Sequence, residues 1–224
     1  MRNVTVRGTV VATVLCAAAL GGGLAALQQS LGSGVFEYQQ YGAYAGRIRL
    51  LPYPVLISGQ AMLPLAGEGK FGVARELAGM DGRAVQLEGA RILRQGDEML
   101  EVRAGSPRLA AGEGASAPPE LLGTFTFAGE IVDSKCYLGV MNPGAGRVHR
   151  ECAIRCISGG VPPVLAVRDD MGKTRLLWLT GAEGEPLSKE ILDYVAEPLR
   201  ASGRLYREGT LLYFRIDLSS LRRE

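Results

Sequence analysis

The sequence contains few of the side chains that most enzymes use for catalysis. It has one histidine, one tryptophan and four cysteines. A single histidine leaves no paired-histidine motif, and no Ser/His/Asp arrangement is visible, so a hydrolase has little support. The covalent haem signature C-x-x-C-H and the thioredoxin C-x-x-C are absent. An excess of one charge is also missing: 25 basic and 23 acidic side chains are mixed along the chain, which gives no basic face for nucleic acid.

Glycine, in contrast, is abundant. The 224 residues include 31 glycines and 11 prolines, which is typical of many turns and short strands rather than a helical bundle. Apolar residues alternate in "EMLEVR" and "TLLYFRID". Together these patterns predict a mainly β protein built from compact antiparallel sheets.

The N-terminal segment differs from the rest of the chain. Arg2 and Arg7 precede an uncharged, apolar run from Gly8 to Leu27, which is close to the ~20 residues that a membrane-spanning helix needs. The positive-inside tendency places the N-terminus in the cytoplasm and the remainder outside. We therefore expect a single-pass transmembrane anchor, although the small residues at 17–19 would also suit a cleavable signal.

The exported part contains a faint internal repeat. Each half has a glycine-led strand, a proline-preceded "PVL", a segment "LAGEG" or "LTGAEG", and a closing strand–turn–strand pattern, in the same order. The landmarks are Gly46, 54–56, 65–69 and Gly96 in the first half, and Gly129, 163–165, 179–184 and Gly209 in the second. The size of each half predicts two tandem small OB-like antiparallel β-barrels.

These features divide the chain into four parts. We expect the anchor over 1–28, a first OB-like domain over 29–103, a linker over 104–120 and a second OB-like domain over 121–224. The linker is rich in small and polar residues. In the second domain, "PLSKEILDYVAEPL" predicts a short helix that Ser188 caps and Pro198 stops.

The two halves differ in one place. Gly46 and Val55 are 9 positions apart, whereas Gly129 and Val164 are 35 apart, so the second half holds 26 additional residues. Within them lies "CYLGVMNPGAGRVHRECAIRC", 136–156, with three of the four cysteines and the only histidine. A loop inserted between strands of a small barrel lies at its mouth, where loops carry function on a rigid scaffold. The insertion is therefore the predicted functional site.

Thiol chemistry is one possible use of this cluster. If "VHRECAIRC" is helical, His149, Cys152 and Cys156 lie on one face, and the glycines and proline of "NPGAGR" let Cys136 approach that face. In an oxidising compartment two of the three thiols should pair, and Cys136 is the better aimed partner for either of the others. The third thiol would lie beside basic side chains, which favour a thiolate.

Metal binding is the other possible use. Cys136, His149, Cys152 and Cys156 form a Cys₃His set that suits zinc or copper(I), for which Met141 is a further soft ligand. The C-x₃-C step with a separate histidine is similar to the copper site of Sco-type chaperones, although here the histidine precedes the cysteines. The sequence leaves the disulfide and the copper or zinc site open, and it identifies no catalytic residue.

A longer string carries a resemblance to a protein family. "GEIVDSKCYLGVMNPGAGRVHRECAIRCISGGVPP", 129–163, resembles the signature of an uncharacterised group of membrane-anchored bacterial proteins, and "FEYQQYGAYAGRIRLLPYPVL" and "GEGKFG" resemble their partner segment. The resemblance covers most of residues 35–168. It implies a protein of the bacterial inner membrane whose soluble part is periplasmic and works beside other membrane proteins. It implies no particular reaction.

Other features are expected to be structural. Lys70 in "GEGKFG" lacks the spacing of a phosphate loop, so a hairpin turn is predicted there. Glu130 and Asp133 have acid–base chemistry but are assigned to a solvated strand edge. Trp178 in "RLLWLTG" is expected in the core.

Two functional hypotheses follow. The first is a non-catalytic accessory or interaction subunit of a membrane redox or respiratory assembly, in which the insertion contains either a disulfide with a free thiol or a soft-metal site. The second is a thiol-based redox enzyme or a copper or zinc metallochaperone. Serine substitutions of the three cysteines would separate them, because an enzyme should lose turnover and a subunit should lose folding or association.

Overall fold

The computed structural model describes residues 2–29, 34–111 and 118–224. The chain forms two compact units, one over Met1–Ser33 and one over Gly34–Glu224. The first unit is a single helix, α1 (Arg2–Gln29). Its stretch Gly8–Ala26 is long and apolar enough to cross a membrane, and none of it is buried against protein. Such a helix is compatible with a single-pass anchor or with a signal sequence.

The second unit begins with a small β-barrel. Its strands are β1 (Val35–Phe36), β2 (Gly42–Arg49), β3 (Val55–Ser58), β4 (Ala61–Ala66), β5 (Ala84–Arg94), β6 (Asp97–Val102) and β7 (Arg108–Leu109). Strands β2, β3 and β4 form an antiparallel meander, β4 pairs in parallel with β6, and β5 closes the sheet by pairing with both β6 and β2. Strands β1 and β7 add to β5. This closed five-stranded order is that of an OB-fold.

A second barrel repeats the arrangement. Its strands are β8 (Glu120–Asp133), β9 (Pro163–Arg168), β10 (Thr174–Thr180), β11 (Pro198–Glu208), β12 (Leu211–Ile216) and β13 (Arg222–Arg223). Here β8, β9 and β10 form the meander, β10 pairs in parallel with β12, and β11 closes the barrel against β12 and β8. The prediction of two tandem OB-like barrels is confirmed.

The internal repeat has a physical basis in the two barrels. A Cβ atom on Gly46 of β2 would lie 2.4 Å from the Ile57 carbonyl oxygen, and one on Gly129 of β8 would lie 2.5 Å from that of Ala166. Both glycines therefore allow the first strand of a barrel to approach the second closely. Two positions later, Ile48 and Ile131 are each fully buried in the corresponding barrel. The shared pattern reflects the same steric and burial requirements in both copies.

The helix expected near residue 190 is shorter than predicted. The structure has a 3-10 helix over Lys189–Tyr194, and the Ser188 side chain does not cap it. The Ser188 N–H instead donates to the Glu190 carboxylate at 2.9 Å. Pro198 does not stop the helix but begins β11, after Val195 and Ala196 have entered the core. Val195 enters the core from extended backbone and Ala196 from a left-handed conformation with a φ of 62°, so burial overrides the helical spacing.

The predicted linker is partly associated with the first barrel. Strand β7 (Arg108–Leu109) pairs with Val85 and Gln86 of β5. Residues 112–117 of the expected linker lie outside the described residues. The preceding part of the segment is therefore packed rather than free.

The cysteine-bearing insertion lies between β8 and β9. It contains a π-helical turn over Cys136–Val140, a 3-10 turn over Arg147–His149 and a helix, α2 (Arg150–Ser158). It packs against the first barrel: a Cβ on Gly139 would lie 2.6 Å from the Val35 carbonyl oxygen. A shared apolar cluster buries residues of both barrels, among them Val55, Met62, Ile92 and Met99 of the first and Val132, Leu138, Trp178 and Tyr213 of the second. The insertion is thus held at the junction of the barrels.

Candidate functional site

Three cysteine thiols meet at the barrel junction. Cys136 begins the π-helical turn that follows β8, while Cys152 and Cys156 lie on successive turns of α2. The Cys136 Sγ is 4.0 Å from the Cys152 Sγ and 3.9 Å from the Cys156 Sγ. All three sulfurs lie within 4.8 Å of one another. The insertion therefore forms a compact triangle of sulfur donors, with Cys136 close to both partners.

No disulfide joins these residues, and each cysteine that the structure describes is a free thiol. The Sγ distances of 3.9 and 4.0 Å are nearly twice the S–S bond length of about 2.05 Å. The predicted disulfide with a third, free thiol thus stays a prediction. What the structure adds is that Cys136 is near enough to either partner for a modest movement to form the bond.

The thiols differ in accessibility and in proton affinity. Cys136 and Cys156 are buried, with exposures of 4% and 1%, whereas Cys152 is half-buried. The pKa of Cys136 is raised because it hydrogen-bonds to Cys156, because it is buried and because Asp133 is near. The pKa of Cys156 is lowered, mainly because it accepts the hydrogen bond from Cys136. The buried pair accordingly favours a thiol on Cys136 and a thiolate on Cys156.

A lysine from the first barrel completes the cluster. The Lys70 Nζ lies 2.6 Å from the Cys152 Sγ. This hydrogen bond is the main reason that the pKa of Lys70 is raised, and the charges of the three cysteines act in the same direction. Lys70 is an exposed residue, so the site reaches the protein surface at Cys152.

The loop that carries Lys70 is held against the insertion by backbone contacts. The Gly72 N–H donates to the Gly159 carbonyl at 2.9 Å. A Cβ on Gly159 would lie 2.1 Å from the Lys70 carbonyl oxygen, and one on Gly72 would lie 2.2 Å from that of Gly160. Glycine is therefore required on both sides of this contact. "GEGKFG" is an inter-barrel contact loop and not the simple hairpin turn that the sequence predicts.

A buried acid and the histidine lie behind the cysteines. Asp133 is fully buried, its Oδ1 accepts the Cys136 backbone N–H at 2.8 Å, and its Oδ2 is 3.0 Å from the His149 Nε2. The assignment of Asp133 to a solvated strand edge is therefore wrong, because the insertion folds back over the end of β8. Glu130 also has a structural partner, since its carboxylate accepts the Gly146 N–H at 2.5 Å.

Lys135, the residue before Cys136, forms a second link between the insertion and the first barrel. Its side chain is 1% exposed, and its Nζ donates to the Gly67 carbonyl at 2.6 Å and the Gly69 carbonyl at 2.8 Å. It also forms an ion pair with Glu101 of β6. Sequence reasoning assigned Lys70 to a hairpin turn and did not consider Lys135. The only available sign was the resemblance, which associated "GEGKFG" with the cysteine motif without indicating a contact.

The predicted ligands do not all belong to one group. Cys136, Cys152 and Cys156 form one set, and Asp133, Cys136 and His149 form another, so the two sets share Cys136. Met141 is 44% exposed, and its backbone N–H donates to the Cys136 carbonyl. The structure thus places His149 next to the cysteine triangle, bonded to Asp133, and Met141 at the surface.

The sulfur geometry suits a soft metal ion. Metal–sulfur bonds of about 2.3 Å separate two sulfurs by about 3.8 Å in a tetrahedral site and by about 4.0 Å in a planar three-sulfur site. The observed 3.9 and 4.0 Å fall in this range. Asp133 and His149 resemble the residues that surround and orient the ligands of a metal ion. The Asp133 carboxylate contacts the His149 imidazole and also accepts the backbone N–H of Cys136. The fold and site thus define a two-barrel protein with a trithiol centre at the barrel junction.

No family model, curated protein or solved structure matches this chain. The case for its function therefore rests on the geometry of this centre.

Proposed function

We propose that this protein is a membrane-anchored periplasmic accessory subunit that binds a soft metal ion, copper(I) or zinc, through Cys136, Cys152 and Cys156. The observation that carries the proposal is the sulfur triangle, with separations of 3.9 and 4.0 Å around Cys136. Thiolates select soft cations, and two of the three sulfur separations already match those of a metal-bound set. We further propose that the protein works as part of a membrane redox or respiratory assembly.

The position of the site supports binding rather than catalysis. Cys136 and Cys156 are buried between the barrels, and Cys152 alone is half-buried. A metal bound here would connect α2 to the turn after β8, while Lys70 and Lys135 hold both to the first barrel. Metal binding would then stabilise the two-barrel unit, because the ion binds only when the ligands are brought together.

The N-terminal helix and the resemblance support the proposed cellular location. Arg2 and Arg7 precede the apolar stretch Gly8–Ala26, which favours a cytoplasmic N-terminus and a periplasmic two-barrel unit. The resemblance to anchored, exported proteins points the same way. A reporter enzyme that is active only outside the cytoplasm should be active in cells when it is fused after Glu224. Activity of a second reporter, one that works only in the cytoplasm, at the same position would contradict this orientation.

A second candidate is a thiol-based redox protein. It is favoured by one observation: the Cys136 Sγ is about equally far from the Cys152 and Cys156 sulfurs, at 4.0 and 3.9 Å. Exchange with the disulfide of an oxidised partner protein, which would leave as two thiols, would join Cys136 to either neighbour. The remaining thiolate would then attack the Cys136 sulfur and release the other cysteine as a thiol.

One measurement separates the two candidates. The fourth cysteine, Cys16, lies in α1 and would add a thiol to the count, so it is replaced by serine. We would purify the full Cys16→Ser chain from an oxidising compartment in detergent, and count free thiols under denaturant together with bound copper and zinc. Three thiols with about one metal ion per chain support the metal site. One thiol without metal contradicts it and supports the disulfide form. Cys136→Ser should abolish stoichiometric metal, whereas the parent Cys16→Ser chain should retain it.

A further inference from the structure

We propose that Lys70 makes this centre selective for a monovalent soft cation, copper(I), over divalent zinc. The inference rests on the proposed function and deepens it by naming the ion and the residue that selects it. Lys70 belongs to the first barrel, whereas all three sulfurs belong to the second. Selectivity would therefore arise from the way the two barrels meet.

The first argument is the position of the ammonium group. The Lys70 Nζ lies 2.6 Å from the Cys152 Sγ, and its charge also interacts with Cys136 and Cys156. The backbone of its loop is held by the Gly72 to Gly159 hydrogen bond and by the close approach of Gly159 to the Lys70 carbonyl. A metal ion within the sulfur triangle would thus have the positive charge of Lys70 beside it, on a loop whose backbone is held in place.

The second argument is the charge of the incoming ion. Electrostatic repulsion between Lys70 and a cation is proportional to the cation's charge, so a divalent ion is opposed twice as strongly as a monovalent one. Lys70 also favours thiolates, but this helps both ions equally, because either must displace the same thiol protons. The ratio of the two affinities therefore isolates the direct repulsion. Asp133 and the Lys135–Glu101 pair remain unchanged when only Lys70 is replaced.

The third argument is the number of donors. Structural zinc prefers four ligands in a tetrahedron. The triangle supplies three sulfurs, the ammonium of Lys70 has no lone pair to donate, and the His149 Nε2 is bonded to Asp133 at 3.0 Å. Three thiolates suffice for copper(I), which accepts planar three-sulfur coordination. Donor number and charge thus favour the same ion.

The test compares affinity ratios in the full Cys16→Ser chain, reduced and in detergent. Copper(I) and zinc would each be titrated against a chromophoric chelator of known affinity, in the parent, Lys70→Met, Lys70→Arg and Lys173→Met. Lys173 is an exposed lysine on the β9–β10 turn and serves as the matched control. We expect Lys70→Met to lower the copper-to-zinc affinity ratio by about tenfold, equivalent to about 1.4 kcal/mol. Lys70→Arg and Lys173→Met should keep the parent ratio.

X-ray absorption on the copper(I) form provides a readout that is independent of affinity. We expect three copper–sulfur contacts and no nitrogen or oxygen ligand in the parent. An unchanged ratio in Lys70→Met, or a fourth ligand on copper, overturns the selectivity proposal while leaving the metal site in place. If neither ion binds the parent chain, both the metal site and the selectivity are wrong.

Discussion

The side chains of Lys135 and Glu101 form an ion pair across the two barrels, with exposures of 1% and 6%. The same ammonium group donates to the carbonyls of Gly67 and Gly69, so its three N–H donors have three acceptors. These bonds hold the loop that carries Lys70 and the residue that precedes Cys136. The pair therefore helps to set the distance between the lysine and the sulfur triangle.

Replacement of Lys135 by methionine should strongly destabilise the protein. The change leaves the Glu101 carboxylate buried without a partner, which costs about 3–5 kcal/mol of unfolding free energy. Urea denaturation of the full parent and variant chains in detergent would measure this loss of unfolding free energy. The double variant Lys135→Met with Glu101→Leu should regain most of the loss, because both charges are then removed. A cost below about 1 kcal/mol for the single change would contradict a buried, compensated pair.

Alkaline pH should loosen the contact between the barrels. Burial raises the pKa of Tyr213 to about 12, although Arg49 partly opposes the shift. Burial also raises the pKa of Tyr53, whose hydroxyl donates to the Leu179 carbonyl at 2.7 Å and accepts the Leu187 N–H at 2.8 Å. Since tyrosine in the unfolded chain ionises near its ordinary pKa of about 10, the stability from Tyr213 is complete below that pH. It is lost as the pH rises from 10 towards 12.

The size of this effect is measurable by substitution. Each pH unit within the window should cost about 1.4 kcal/mol of unfolding free energy for each such tyrosine. Urea unfolding midpoints of the parent and of Tyr213→Phe would be measured at several pH values between 8 and 11. The midpoint of the variant should fall less steeply with pH, since only Tyr53 still contributes to the loss of stability. Equal pH slopes for both proteins above pH 10 would count against a raised pKa at Tyr213.

The repeat glycines should be intolerant of a methyl group. Gly46→Ala and Gly129→Ala would place a Cβ atom 2.4 and 2.5 Å from carbonyl oxygens of the neighbouring strands. We expect each to lower the unfolding free energy by about 1–3 kcal/mol, because a backbone strand must shift. Gly89→Ala is the matched control, since its Cβ would be 3.3 Å from its nearest neighbours. Thermal unfolding should rank Gly89→Ala as the mildest; the reverse order would disprove the steric explanation.

The thiols of the metal-free, reduced protein should react in a defined order. Cys152 is half-buried, whereas Cys136 and Cys156 are 4% and 1% exposed. In the Cys16→Ser chain a maleimide should therefore modify Cys152 first, at a rate about tenfold or more above that of the two buried cysteines. Peptide mass spectrometry after short labelling would identify the site. Lys70→Met removes the ammonium group that lies 2.6 Å from the Cys152 Sγ and should slow the labelling of Cys152, because a cationic neighbour favours the thiolate. Early labelling of Cys156 would indicate that the junction opens more easily than its burial implies.

Much of the fold can be derived from local patterns. Alternation in "TLLYFRID" and "EMLEVR" predicts β12 and β6, and the glycine-led strands with their "PVL" partners predict the beginning of each barrel. The burial of these strands does not alternate strictly, since residues 99–102 of β6 are all buried, so the pattern predicts the strands but not which faces are covered. Gly46 and Gly129 meet the same steric demand in the two barrels. The helix near residue 190 was less predictable, since its apolar residues enter the core from a 3-10 turn and extended backbone.

The chemistry of the insertion is also visible in the chain, because the insertion places three cysteines and the only histidine within 136–156. The three cysteines approach one another because Cys136 follows the end of β8 and the chain then turns back into α2, which carries the other two. The partners of these residues are not visible, since Lys70 and Glu101 are distant in sequence and contact the cluster only when the barrels pack. Burial of Asp133 is likewise a result of the insertion folding over β8.

The order of residues thus specifies the apolar helix, two similar barrels and a segment of clustered cysteines, because each depends on spacing within a short stretch. The tertiary structure decides which charges face the sulfurs. It sets Lys70 at 2.6 Å from the Cys152 Sγ and pairs His149 with Asp133 at 3.0 Å. Such contacts depend on how two separately closed barrels share an apolar junction. No local pattern encodes that packing, so only the folded chain defines the electrostatics of the site.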